Sequence, residues 1–190
     1  RWYALSGGSL GRGSPEGSRD TAFLFESSDF LKWEYLGLFY GPGEENDCAV
    51  PDFFPLGDEH MLLFASHARG VQYYIGDHDG ARFQPKRHGR LNWGNFGLES
   101  GNLCAAITML DGNDRRIMFG WVAEGRTEKV QRHAGWSGIM CLPRVLSIGP
   151  DGGLRVAPVP EIEVLRREHV RLTDVIVSPD LDIPLGSIRG

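Results

Sequence analysis

A two-strand unit recurs along this chain, and the recurrence restricts the fold more than any single residue does. WYALSGGS from Trp2, HMLLFASH from His60 and RIMFGWVAE from Arg116 each read as an apolar strand that ends in small or polar residues. Each is followed by a loop and a second strand: TAFLFESSDFLKWEYLG from Thr21, VQYYIGDHDGARFQP from Val71 and SGIMCLPRVLSIGPDGGLRV from Ser137. The second strands are expected to turn at Ser28-Asp29, Asp79-Gly80 and Pro143-Arg144, and the first two reach an aromatic, Trp33 or Phe83, soon after. Recurrence roughly every 50 to 65 residues is the pattern of a β-propeller built from four-stranded blades, of which about three are present. A β-sandwich gives similar strand spacing but does not repeat the same two-strand unit.

The remaining local signals agree with an all-β chain. Short runs rich in aromatic and β-branched residues, closed by Gly, Asp, Asn or Ser, predict further strands over Trp33–Phe39, Leu103–Leu110, Val145–Ile148 and Leu154–Ala157. Helical periodicity is weak and confined to Pro160–Arg167, where Ile162, Val164 and Leu165 are the apolar positions. With 41% hydrophobic and 24% charged residues the chain has the composition of a soluble globular protein rather than a disordered one. Its net charge of -5, with scattered Lys and Arg, argues against a nucleic-acid or anionic-membrane partner. No apolar run approaches the ~20 residues of a membrane span and no signal peptide is visible, which leaves cytoplasmic and secreted locations both open. Neither the odd set Cys48, Cys104 and Cys141 nor the six histidines show metal-ligand spacing, so no metal and no cofactor are expected. Both ends look cut, since the chain opens inside a strand-like pattern at Arg1-Trp2-Tyr3 and closes as another extended segment begins. It is read as an internal fragment of a longer protein.

The densest chemistry lies in Asn46 to Gly57, NDCAVPDFFPLG, where a loop carrying carboxylates enters an apolar strand. Pro51 biases Val50 toward an extended conformation. Side chains two apart should then share a face, so Asp47 and Ala49 are expected to point the same way. In a propeller the innermost strand of every blade lines a central funnel, so residues at the entries of such strands converge there.

In this order, the motifs resemble glycoside hydrolase family 32, the invertase, inulinase and levanase family. WYALSGGS followed by FLFESSDFLKWEYLG resembles the family's second blade, PDFFPLG resembles the segment after its Glu-Cys pair, and QYYIGDHDGARFQP resembles its Tyr-x-x-Gly strand. RRIMFGWVAE resembles its Arg-Arg-Ile-x-x-Gly-Trp strand, and GWSGIMCLPRVLSI followed by LRVAPVPEIEVLR resembles the exit of the fifth blade. The resemblance implies a five-bladed propeller, covered here from about blade two to blade five. Residues 1–158 would form the partial propeller, and 159–190 the linker and start of a β-sandwich.

What the resemblance implies chemically is hydrolysis of β-fructofuranosyl linkages, in sucrose or small fructans, with retention of configuration. Such chemistry uses two carboxylates about 5 Å apart, one a nucleophile and one an acid/base. The family's Asn-Asp-Pro-type nucleophile motif and its Arg-Asp-Pro motif have no counterpart in the sequence; Arg19-Asp20 is followed by Thr21 and is expected in a surface loop. The nucleophile is therefore expected outside these residues. At the family's Glu-Cys-Pro-Asp motif the chain departs. Aligned on Pro51-Asp52, Ala49 stands where the acid/base Glu should be; aligned on the acid-Cys pair, Asp47-Cys48 takes that place with two residues inserted. Asp47 is the candidate acid/base, with Glu44 and Glu45 as alternatives. Asp52 and Trp136 are candidate sugar-binding residues, although Asp52 equally suits a turn and Trp136 a core. Glu124 reads as a solvated strand end, and Trp93 and Asn95 as loop residues that could rim the entrance. A small carbohydrate is the expected partner; the oligomeric state is unknown. The alternatives are a carbohydrate-binding propeller without catalysis and a hydrolase of another furanoside such as arabinan.

Overall fold

The computed structural model describes residues 1–11, 19–44, 47–92, 103–167, 171 and 173–176. Glu45, Trp93, Asn95, His169 and the Gly-rich stretch after Gly11 lie outside them. The chain divides into two units, Arg1–Val159 and Pro160–Gly190. In the second, the weak periodicity becomes a 3-10 helix over Pro160–Leu165.

The described residues of the first unit form three antiparallel sheets, the first two of them meanders in chain order. Sheet one contains β1 (Trp2–Leu10), β2 (Arg19–Ser27) and β3 (Glu34–Tyr40). Sheet two contains β4 (Ala49–Leu56), β5 (Glu59–Ser66), β6 (Gly70–His78) and β7 (Phe83–Arg90). Sheet three contains β8 (Leu103–Leu110), β9 (Arg116–Val122), β10 (Ile139–Met140), β11 (Arg144–Ile148) and β12 (Leu154–Pro158). There β8 takes one edge of β9, while β10 and β11 divide the other edge: Met140 lies opposite Trp121 and Arg144 opposite Met118.

Apolar packing between the sheets explains the sequence patterns. Met61, Leu62, Leu63 and Phe64 of β5 are all fully buried. Met61 and Leu63 join Phe54, Leu56, Ala106 and Met118 in the core shared with sheet three. Leu62 and Phe64 join Ala22, Leu24, Phe39 and Tyr40 in the core shared with sheet one. A strand covered on both faces reads as a continuous apolar run, which is why HMLLFAS does not alternate. By contrast β7, FQPKRHGR, gives almost no strand signal. It closes sheet two beyond β6, where Pro85, Lys86 and Arg87 are tolerated and discourage further pairing.

The turns at Asp29 and Asp79 share one device. Asp29 Oδ1 accepts the N–H groups of Leu31 and Lys32, both at 2.9 Å, and Asp79 Oδ1 accepts those of Ala81 and Arg82 at 2.9 and 2.8 Å. These backbone donors hold both carboxyls below the usual range. The third expected turn is different. Pro143-Arg144 leads into β11, and the hairpin closes instead at Gly149–Gly153, where Gly149 N–H donates to Gly153 at 2.8 Å. Sheet three also carries a short helix, α1 (Glu128–Ala134), between β9 and β10. Its seven residues, none buried, are too few for a periodic signal; Gly135, left-handed at φ 76°, ends it.

Candidate active site

The first strands of sheets two and three start at the same end of the unit and are tied together. Asp52 Oδ2 in β4 accepts both the N–H and the hydroxyl of Thr108 in β8, at 2.6 and 2.7 Å. Both strands open with the same irregularity. Ala49 pairs with Ala65 and Asp52 with Leu63, so Val50 and Pro51 together face one residue. Cys104 pairs with Trp121 and Ile107 with Phe119, so Ala105 and Ala106 do the same. These are β-bulges, and each contains a non-glycine residue with positive φ: Val50 and Ala105, both at 47°. The expectation of an extended Val50 is thereby corrected: pairing on either side of the bulge overrides the preference that Pro51 imposes.

Each bulge reverses which residues face which core. In a regular strand, residues an odd number apart point to opposite faces. Yet Cys48 and Phe53 both pack in the core against sheet one, and Leu103 and Ala106 both pack in the core between sheets two and three. The entry of β4 is also pressed against the end of β1. Cys48 N–H donates to Gly8 at 3.2 Å, and a Cβ on Gly7 would sit 1.9 Å from the Cys48 carbonyl oxygen, so only glycine fits there. Cys48 itself is buried, and that burial, with Asp20 and Asp47 nearby, pushes its thiol far up. It is no nucleophile.

Asp47 stands one step before this entry. Extending the pairing of Ala49 with Ala65 sets Asp47 opposite His67, just past the end of β5. The side chains complete the pair: Asp47 Oδ1 accepts the His67 backbone N–H at 3.1 Å, and Oδ2 meets the ring Nδ1. Asp47 is 26% exposed and His67 68%. Nothing in the sequence flags His67, because its partner lies 20 residues away and is reached only through the β4–β5 register.

A second polar group forms at the end of β9, beside the start of β8. Glu124 is corrected from a solvated strand end to a nearly buried anchor, 9% exposed. Its carboxylate binds the Arg126 guanidinium at 2.9 and 2.7 Å and accepts the N–H groups of Arg126 and Gly138 at 2.7 and 2.9 Å. Arg126, then the Gly138 N–H, hold that carboxyl far below the usual range. The guanidinium also lies over the Trp136 ring, 3.6 Å from its centroid. The indole stays 53% exposed beside a cleft of about 260 Å³ lined also by Glu124, Arg126 and Ile139. Trp136 is thus presented by a loop, not packed in a core.

The Arg19-Asp20 pair is also corrected. It lies in β2 rather than in a surface loop, with Asp20 fully buried. Gly43, whose N–H donates to the Asp20 carbonyl at 2.9 Å, has no room for a Cβ beside that carboxylate.

Residues 2–158 match the family model described as the glycosyl hydrolases family 32 N-terminal domain. The chain belongs to glycoside hydrolase family 32. It is 28% identical over 184 residues to a β-fructofuranosidase, insoluble isoenzyme, of Arabidopsis thaliana, covering 85% of this chain and 31% of that protein. It is 29% identical over 186 residues to a fructan 6-exohydrolase of Beta vulgaris, covering 87% and 31%. The chain therefore spans about a third of the length of these relatives. Among solved structures, a Bombyx mori family 32 β-fructofuranosidase in complex with sucrose superposes with a TM-score of 0.69 at 23% identity, over 90% of this chain and 37% of that one. A fructan 1-exohydrolase IIa of Cichorium intybus in complex with 1-kestose gives 0.67 at 24%, over 88% and 34%. The three sheets are accordingly blades of the family 32 β-propeller.

Proposed function

We propose that this chain contributes the acid/base part of the active site of a retaining β-fructofuranosidase acting on sucrose or small fructans. The observation that carries the reading is the placement of the Asp47 carboxylate at the entry of β4, the first strand of a family 32 blade. There it serves as the centre of proton transfer to the glycosidic oxygen and, in the second step, from water. The partner nucleophile is a carboxylate that these residues do not supply. Trp136 offers an exposed indole face for an apolar patch of sugar. Asp52 is assigned a sugar-binding role through the part of its carboxylate not engaged by Thr108.

One observation favours a second reading, a carbohydrate-binding propeller without catalysis: Ala49, not an acid, occupies the last paired position before the bulge. Sucrose hydrolysis by the protein that carries this sequence, wild type against Asp47→Ala, decides. The enzyme reading expects a loss of about a hundredfold or more. Equal activity would place the proton donor elsewhere, and a wild type inactive on both sucrose and inulin would hand the lead to the binder.

A further inference from the structure

We infer that Glu124 and Arg126 are positioning residues: together they hold the Trp136 indole by one face and fix it as a platform on which a sugar stacks. This inference rests on the β-fructofuranosidase reading and extends it to two residues that act on the sugar only through the ring. The loop that carries all three leaves β9 at Val122 and returns at Ile139, which pairs with Val122, so its base is closed. The backbone on both sides of Trp136 is pinned to the pair. Arg126 donates to the Trp136 carbonyl at 3.1 Å, and Glu124 accepts the Gly138 N–H at 2.9 Å. Gln131 of α1 donates to the Arg126 carbonyl at 2.7 Å and accepts the Ser137 hydroxyl at 2.8 Å. A Cβ on Gly138, at φ 67°, would sit 2.4 Å from the Trp121 ring nitrogen, so the loop returns through a point with no room for a side chain.

The two faces of the indole are thereby unequal. The guanidinium carbon lies 3.6 Å from the ring centroid and covers one face. Trp136 is nevertheless 53% exposed, so its open surface is the opposite face and the ring edge. The guanidinium is not a bare cation under the ring. Glu124 spans its Nε and one terminal nitrogen at 2.9 and 2.7 Å, the bidentate geometry that binds arginine most firmly. Because Glu124 is nearly buried, the pair is anchored from the inner side of the loop. Carboxylate and guanidinium cancel, so the platform suits a neutral ligand with an apolar face better than an anion. A sugar ring has such a face. An exposed tryptophan without this support samples several rotamers, and arresting it on binding weakens affinity about two- to tenfold. Glu124 and Arg126 arrest it before the sugar arrives.

The test uses the protein that carries this sequence, with Glu124→Gln, Arg126→Met, Arg126→Lys, Trp136→Ala, and Trp136→Ala combined with each of the first two. On sucrose, Glu124→Gln and Arg126→Met should each raise KM about two- to tenfold and leave kcat within about twofold, the mark of lost binding that ground and transition states share. Arg126→Lys should recover part of the loss, since it keeps the cation without the planar fork. Trp136→Ala should raise KM at least as much, and adding Glu124→Gln or Arg126→Met to it should change nothing further, because the pair acts through the ring.

A KM increase that persists in full in the Trp136→Ala background would overturn the inference, as would a fall in kcat with KM unchanged, or an unchanged KM in both single variants. Each of these leaves the β-fructofuranosidase reading standing. A wild type inactive on sucrose and inulin would overturn that reading, and sugar binding then decides the inference. With fluorotryptophan incorporated, the fluorine resonance missing from Trp136→Phe should shift as sucrose is added to the wild type, with half-saturation at higher sucrose in Glu124→Gln. A resonance that sucrose leaves in place would sink the platform.

Discussion

Strands β4 and β8 are the same backbone device carrying different cargo. Each opens its blade, each sets two residues against one, each holds a residue at φ 47°, and each reverses its facing at that point. In β8 the irregular pair is Ala105-Ala106, small residues that demand little. In β4 it is Val50-Pro51, a β-branched residue where such residues are rare, followed by one that cannot donate a hydrogen bond. In β4 the entry is preceded by a carboxylate, Asp47, bonded to His67 just past the end of the next strand. The fold thus supplies a repeated way of aiming the residues at a strand entry, and side chains particular to one blade turn that aim into chemistry.

Inserting a residue beside a bulge is the most severe way to break the comparison. An alanine added between Cys48 and Ala49, with Ala49 still opposite Ala65, carries Cys48 out of its core to the place opposite His67 and moves Asp47 past that place. Emptying the Cys48 site and taking the carboxylate from its partner should lower stability by about 2–4 kcal/mol and abolish sucrose hydrolysis, read by urea unfolding and by product formation. An alanine added between Leu103 and Cys104 should destabilise in the same way, by carrying Leu103 out of its core, yet leave Asp47 on His67; equal damage at the Asp47–His67 pair in both variants would show that the strands are not independent carriers. A smaller effect follows from cutting the tie between them. Asp52→Ala leaves the buried side of Thr108 without its acceptor and should cost about 1–3 kcal/mol in the same unfolding assay. An unchanged midpoint would mean that β4 and β8 are held by apolar packing alone.

The mildest change sharpens the contrast. Val50→Gly relieves about 1–3 kcal/mol of backbone strain against a glycine penalty of about 0.5–1, so it should stabilise by about 1 kcal/mol. Ala105→Gly relieves less and should come out near zero. A stabilisation that is equal at the two sites would remove the claim that β4 bears the greater strain.

The blade pattern was legible because packing between sheets writes itself into composition. β5 shows it as an unbroken apolar run, β8 was placed at Leu103–Leu110 from sequence with the bounds the structure has, and β9 begins at Arg116, where the RIMFGWVAE run was read to begin. β7 was not legible, since an exposed edge strand is chosen against stickiness rather than for strand propensity. Asp47 could be singled out from its neighbours Cys48, Pro51 and Asp52. His67 could not, because the register that brings it opposite Asp47 runs past a bulge, and the local rule for a residue before proline pointed away from the conformation Val50 adopts. Glu124 was misread for a related reason: its partners are an arginine two residues on and the N–H of Gly138, brought back by the loop that carries α1.

The burial of β5 on both faces also bears on how the unit opens. Leu62 and Phe64 lose their cover if sheet one lifts away, and Met61 and Leu63 lose theirs if sheet three does. Either departure strips one side of the same strand, so neither flank can come loose without weakening the other's seat. β5 therefore makes the three sheets melt as a single cooperative unit, and its amides should be among the last to exchange with deuterated solvent.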